Sequence, residues 1–495
     1  MKRNKLYFPL GLILISLLFS FAIPAEKLDS HLQRGLDSIR PMDAYNYVKT
    51  LCMPQFAGRH TGHEGYTKAS KWAAGKFKEW GLKPINRKDG YLQAYPSPYV
   101  VVDRAEMTLH LKEAGSQRQD ESSLKKAPLK PGTDFLPLLY SDSGKNTAEV
   151  VFAGWGISAP ELKYDDYAGL DVKGKFIICF RGTPDRREPG FQKHDHHRFR
   201  MKTAKEKGAL GLFYIYAEPI ANPNGDWIEG FTPAIISEKV ADMILKERGI
   251  KSADLRRDLS TYKKPISFPL QSKISFTVES RHYPEGVGYN IVGYVEGSDP
   301  KLKTECLVVG GHFDHCGEHM GFLFAGADDN ASGSAVVMAM AKAFASLKKK
   351  PTRSVVFVLF GGEEMGLMGS TYFANNLPSQ FKKIDSMFNF DMVGEGDGAG
   401  CAMSAEPEEL KTVLEEANEH VKILKRAPRI IRGVGVRSSD YAPFFLKGAA
   451  CISFISNGPH LYYHLPGDTI YRINPDIMAD IARLAFLTGF NWANR

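Results

Sequence analysis

Apolar positions along this chain fall into two textures. Between residues 30 and 95 they recur at helical spacing. Ala69, Trp72, Ala73, Phe77 and Trp80 share one face of a helix predicted over 66–80, with Gly81 and Pro84 as its stop. From about residue 148 they gather into short continuous runs, which predict strands over 149–153, 174–180 and 210–216. The second half of 193–207 reads as a helix, and 233–236 leads into another that ends near Gly249. Polar, loop-like stretches at 115–132 and 250–265 set this region apart as a module of its own.

From Gly288 onward strand, loop and helix alternate. Strands are predicted over 305–310, 354–360, 387–390 and 450–455. The helix after Asn330 carries Val336, Val337, Met340, Phe344 and Leu347 on its apolar face, and 407–422 and 475–492 are helical in pattern. The alternation predicts an α/β fold with a mixed, largely parallel sheet flanked by helices, interrupted by a smaller β-rich insert. The expected divisions are 1–25 as a leader and 26–144 as the N-terminal part of the main domain. The insert then takes 145–280, and 281–495 completes the main domain.

The leader is set apart by charge. Lys2, Arg3 and Lys5 precede an apolar run from Leu6 to Ile23, with small residues at Ala22 and Ala25. That is the order of a secretory signal, so export to the periplasm or the outside is expected, an uncleaved anchor being the alternative. No later segment is apolar for long enough to span a membrane, so no stable insertion is expected once the leader is cut. Its removal takes the formal net charge from +8 to +5, because it holds three basic residues and no acid. A mild basic excess on 495 residues gives no reason to expect nucleic acid. Six cysteines are too few for a disulfide scaffold, although one bridge stays open. Oligomeric state is not readable.

The loops after the four predicted strands carry the chemistry. His312 follows the first, Glu363 and Glu364 the second, Asp391 closes the third, and His464 follows the fourth, with Asp328 and Asp329 ahead of a helix. Open α/β sheets bind ligands beyond the carboxyl ends of their strands, so these positions converge. Carboxylates and imidazoles without a required cysteine suit zinc or a similar divalent ion. Enough carboxylates for one to bridge suggest two ions. Glu363 beside Glu364 supplies the proton shuttle of metal-assisted hydrolysis. Singly, each has a plainer reading: an N-cap for the Asp-Asp-Asn run, a solvated turn for the glutamates, a packed core histidine for His464. Asp391 resists it, since an isolated buried carboxylate is costly. The His194-Asp195-His196-His197 cluster reads as a charged loop before a metal site.

Gly311-His312-Phe313-Asp314, Gly326-Ala327-Asp328-Asp329-Asn330-Ala331-Ser332-Gly333, Gly362-Glu363-Glu364-Met365-Gly366, Asn389-Phe390-Asp391-Met392 and Tyr463-His464 together resemble the M28 family of co-catalytic zinc peptidases. Ser438-Ser439-Asp440 resembles that family's segment before the last ligand. The resemblance covers about residues 40–100 and 285–495. It implies two Zn2+ bridged by Asp329, with Glu364 and His464 completing one site and His312 and Asp391 the other. It also implies a cis peptide between Asp329 and Asn330 and a general-base role for Glu363. Asp314 would accept the second ring proton of His312, and the Tyr463 hydroxyl would stabilise an oxyanion. Gly174-Lys175-Phe176, Gly208-Ala209 and Pro233-Ala234-Ile235 resemble the protease-associated (PA) domain inserted in many members. The activity implied is removal of N-terminal residues from peptides. Three alternatives stay in view: a carboxypeptidase using Arg432 or Arg437, a glutaminyl cyclase-like acyltransferase, and a non-catalytic receptor.

Overall fold

The computed structural model describes residues 28–85, 88, 90–112, 124–403, 407–423, 429–430 and 439–495. The leader, Arg432 and Arg437 lie outside the described residues. At the centre of the main domain four parallel strands run side by side in the order Ser354–Phe360, Glu305–His312, Lys383–Phe390, Ala450–Ser456. Antiparallel strands flank them, Val287–Val295 on one side and Ala399–Met403 on the other. The sheet is therefore mixed with a parallel core, as expected.

These strands read as unbroken apolar runs because both faces are covered. Leu307 and Val309 point into one core with the helices Gly333–Ser346 and Pro475–Ala493, while Cys306 and Val308 point into the other with Phe373 and Phe444. All seven residues of Ser354–Phe360 are buried. The helices Ser30–Ser38, Pro41–Leu51 and Glu64–Glu79 add Leu36, Val48, Ala69, Ala73 and Phe77 to the first core. No helix of the described residues is long and apolar enough to cross a membrane.

Helical texture ends sooner than residue 95. Gly81 takes a left-handed φ of 76°, and Leu92–Pro96 is a strand paired with Val287–Val295. The second sheet likewise starts earlier than residue 145. Eight strands form it, and Tyr99–Leu111, Lys125–Pro128 and Phe135–Pro137 belong to it. Tyr99–Leu111 lies antiparallel to Ser267–Tyr283 with Val100, Val102, Ala105, Met107 and Leu109 buried. The polar stretch 250–265 holds the helix Ser252–Tyr262, which buries only Leu255, Leu259 and Ser252. Polarity there marks a wet helix face rather than a boundary.

The chain leaves the main sheet and re-enters it through neighbouring strands. Pro96 pairs with Val287 in the main sheet, Tyr99 pairs with Tyr283 in the second, and their rings stack at 4.7 Å. Ser97 donates its N–H to Gly286 across the junction at 2.8 Å. Residues 99–283 thus hang from the main domain by two adjacent crossings.

Candidate metal centre

Strand ends and glycine contacts bring the five expected ligands together. His312 is the last residue of Glu305–His312, and Asp391 directly follows Lys383–Phe390. The turn carrying Asp329 packs against the end of that second strand because residue 333 is glycine. A Cβ there would sit 2.3 Å from the Phe390 carbonyl oxygen. Asn330 locks the approach, donating to Phe390 O at 2.8 Å and accepting from the N–H groups of Gly333 and Met392 at 2.9 and 3.2 Å. The Asp329–Asn330 peptide is cis, as the family resemblance implied.

Asp329 stands between two groups. Its Oδ1 lies 3.2 Å from His312 Nε2, which is also 3.4 Å from Asp391 Oδ1. Its Oδ2 lies 3.3 Å from His464 Nε2, which is 3.0 Å from Glu364 Oε2. Both rings present the lone pair that a cation needs. His312 donates Nδ1–H to the Asp314 carbonyl at 3.1 Å, and His464 donates Nδ1–H to the Ala221 carbonyl at 2.8 Å. Buried His464 Nε2 and Asp329 Oδ2 have no hydrogen-bond partner. Orphaned inward-facing acceptors at these two atoms fit a bound divalent ion and are otherwise costly.

The carboxyl groups divide by environment. Burial would raise Glu364, but with no ion bound His464 takes up a proton at Nε2, and its charge, with the His315 hydrogen bond, brings Glu364 down to about 2. Asp329, against its own burial, is held well below the ordinary carboxylate range by His312 and His464. Glu363 goes the other way: burial, together with Asp440, Glu364 and Asp391, raises it well above that range despite His312. Carboxyls pushed apart in this way mark separate roles, with ligands that stay ionised and one group suited to hold a proton. Glu363 also faces the cavity of about 280 Å³ that His312, Asp329, Glu364, Asp391 and Tyr463 line.

Asp314 differs from its expected role. The His312 ring proton goes to the Asp314 backbone carbonyl, while the carboxylate stays 3.9 Å from that nitrogen and accepts the Glu363 N–H at 3.3 Å. The turn after His312 brings the carbonyl closer than the side chain. Tyr463 stacks on His464 at 3.9 Å and lines the cavity while 49% exposed. The His194–His197 cluster is dispersed among separate partners: His194 on Glu161, Asp195 on Arg181 and Arg200, His197 on Arg181 and Asn222. Cys52, Cys179, Cys306, Cys316 and Cys451 are free thiols.

Three supporting residues escaped the sequence reading. His315 donates Nδ1–H to Glu364 Oε1 at 2.8 Å, leaving the other oxygen for the site. Asp468 accepts the N–H groups of Asp328 and Asp329 at 2.8 and 3.0 Å. Arg59, fully buried, donates to the carbonyls of Leu51, Phe313, Ala325 and Gly326 at 2.8–2.9 Å, tying together both ligand loops. His315 alone left a trace, as a second histidine one turn beyond His312. Ser439, within the expected serine–aspartate segment, donates to Asp391 Oδ2 at 2.6 Å.

Residues 290–488 match the model of peptidase family M28. The chain is 34% identical over 158 residues to leupeptin-inactivating enzyme 1 of Streptomyces exfoliatus, covering 32% of this chain and 33% of that one. It is 25% identical over 338 residues to aminopeptidase YwaD of Bacillus subtilis, covering 65% of this chain and 64% of that one. The matches thus span about a third of the first relative and just under two-thirds of the second. The solved aminopeptidase from Aneurinibacillus sp. strain AM-1 superposes with a TM-score of 0.63 at 20% identity, covering 92% of this chain and 95% of that one. The two share a fold along nearly their whole length.

Proposed function

The chain belongs to peptidase family M28 through its residues 290–488, and from that premise we propose that it is a zinc-dependent aminopeptidase with two metal subsites. The observation that carries this reading is the division of one carboxylate. Asp329 gives one oxygen to the His312–Asp391 group and the other to the His464–Glu364 group. Zinc is the ion that the donor set suits, having imidazole and carboxylate ligands around an open side. Names of relatives point the same way, YwaD being an aminopeptidase. When bound, the ions supply Lewis acidity that makes water a nucleophile at neutral pH and polarises the scissile carbonyl.

The chain's own groups do the rest. Glu363 takes a proton from the attacking water on its carboxylate and returns it to the leaving amine. It lines the cavity beside the ligand set, where it can hold that proton between the two transfers. The Tyr463 hydroxyl donates to the oxyanion that forms at the carbonyl. Asp314 fixes the Glu363 backbone and, through its carbonyl, the His312 tautomer. A cavity of about 280 Å³ is at the small end for ligand sites, which favours one terminal residue over an extended chain. We read residues 99–283 as the PA-type insert and 1–25 as an export leader.

Cleavage of amino-acid p-nitroanilides by the zinc-replete protein, beside Glu363→Gln with bound zinc counted in both, tests the proposal. Glu363→Gln should keep two ions and lose activity by a factor of about 10²–10⁴. Two bound ions with no cleavage of free N-termini would refute the aminopeptidase reading in favour of carboxypeptidase chemistry. One bound ion would favour cyclisation, and none a receptor.

A further inference from the structure

The insert reaches the metal centre, and among the described residues it does so on one side only. Ala221, buried in the loop after the strand Gly211–Tyr216, forms a reciprocal pair with His464. Its N–H donates to the His464 carbonyl at 3.0 Å, and its carbonyl accepts the His464 ring Nδ1–H at 2.8 Å. His464 sits at φ 56°, in the left-handed region that a non-glycine residue adopts only when its surroundings hold it there. The pair holds both that backbone and the ring it carries.

Arg198, also in the insert, braces the same loop against the other ligand of this subsite. Its guanidinium donates to Asp226 Oδ1 at 2.7 Å, Asn224 Oδ1 at 2.5 Å and the Gly225 carbonyl at 3.4 Å. The same group donates to the carbonyl of Met365, next to Glu364, at 2.5 Å. One side chain therefore spans from the loop bearing Ala221 to the turn bearing Glu364. Gly366 permits the approach, since a Cβ there would meet Arg198 at 2.8 Å. Among the described residues the opposite subsite has no such brace. His312 is fixed by Asp314 and Ser334, and Asp391 by Ser439, all from the main domain.

We propose that Ala221 and Arg198 are positioning residues by which the insert completes the Glu364–His464 subsite, leaving the His312–Asp391 subsite independent of it. The insert is then part of the metal centre. The inference rests on the two-metal reading above. Outer partners of ligating histidines set ring orientation and basicity, and losing one costs about 10–100-fold in metal affinity.

The test is zinc affinity of the full chain by competition with a chromophoric chelator, with no activity readout. On a His312→Ala background, which leaves the Glu364–His464 subsite, Arg198→Met should weaken zinc by about ten-fold or more. On a His464→Ala background the same change should leave zinc affinity unaltered. Arg198→Lys should restore part of the loss, and Asp226→Ala, which removes an exposed anchor of the brace, should reproduce it in weaker form. Equal weakening on both backgrounds, or none on the first, would overturn the proposal. Fewer than two ions on the unmutated chain would instead overturn the two-metal reading, and this inference with it.

Discussion

Replacing Asp468 with asparagine changes one oxygen to an amide nitrogen and leaves size and shape alone. In the native fold both carboxylate oxygens are engaged, one by the Asp328 N–H at 2.8 Å and one by the Asp329 N–H at 3.0 Å. The Asp468 carbonyl takes the Ala327 N–H as well, at 3.4 Å. Asparagine keeps a single acceptor, so its amide group must face the other N–H, donor against donor. One buried hydrogen bond to a charged acceptor is lost, worth about 1.5–3 kcal/mol. The freed backbone is the segment that aims the Asp329 carboxylate at both subsites. If about 2 kcal/mol of the loss falls on the metal-bound state, zinc affinity drops about 30-fold. A chelator competition titration reads that directly, with thermal unfolding of metal-free protein recording whatever falls on stability instead. Zinc affinity within about threefold of the parent, with unfolding unchanged, would refute the claim that Asp468 holds Asp329 in place.

Arg59→Met should destabilise the metal-free main domain by about 3–5 kcal/mol, since four buried carbonyls lose their donor. A urea midpoint within error of the parent would count against it, and Arg59→Lys should recover only part. His460 donates from both ring nitrogens, to Asp328 Oδ2 at 2.6 Å and the Ser456 carbonyl at 3.2 Å, and the Asp328 bond raises its pKa to about 9. A raised histidine contributes stability that is complete below its unfolded pKa of about 6.5 and is lost as pH rises through 9. The unfolding free energy should therefore fall as pH rises from about 6 to about 9.5, by an amount that solvent screening of this half-exposed ring reduces, and His460→Gln should flatten that fall.

Much of the main domain is legible because its parallel strands are buried on both faces and write themselves as unbroken apolar runs. His312, Glu363, Glu364 and Asp391 sit at or just beyond those runs and His464 in the loop after the last, where an open sheet gathers ligands, while the choice of Asp329 as the bridging residue came from the family resemblance. Strands that alternate polar and apolar residues carry no such mark. Leu92–Pro96 and Tyr99–Leu111 are paired with Val287–Val295 and Ser267–Tyr283, partners almost two hundred positions along the chain. Tyr99–Leu111 does carry the two-residue alternation of a half-buried strand at Ala105, Met107 and Leu109, but nothing local names its distant partner.

The supporting layer is hidden for a different reason. Ligands are chosen by side-chain chemistry, which a sequence displays, whereas their supports act through the backbone or across long separations. Asp314 keeps its place in the motif, yet its carbonyl does the work assigned to its carboxylate. Ala221 has no functional group at all, and its partner His464 is 243 residues away. Arg59 donates to four backbone carbonyls, which no side-chain pattern in the sequence reveals. A motif therefore identifies what can bind a cation, while the fold decides how firmly each ligand is aimed. On this argument the two subsites, nearly symmetric in their ligands, are unequal in their supports. Among the described residues the His312–Asp391 subsite is braced within one domain, and the His464–Glu364 subsite draws on a chain segment that enters and leaves through two adjacent crossings at Pro96 and Val287. Any motion of residues 99–283 about those crossings must reach the second subsite before the first.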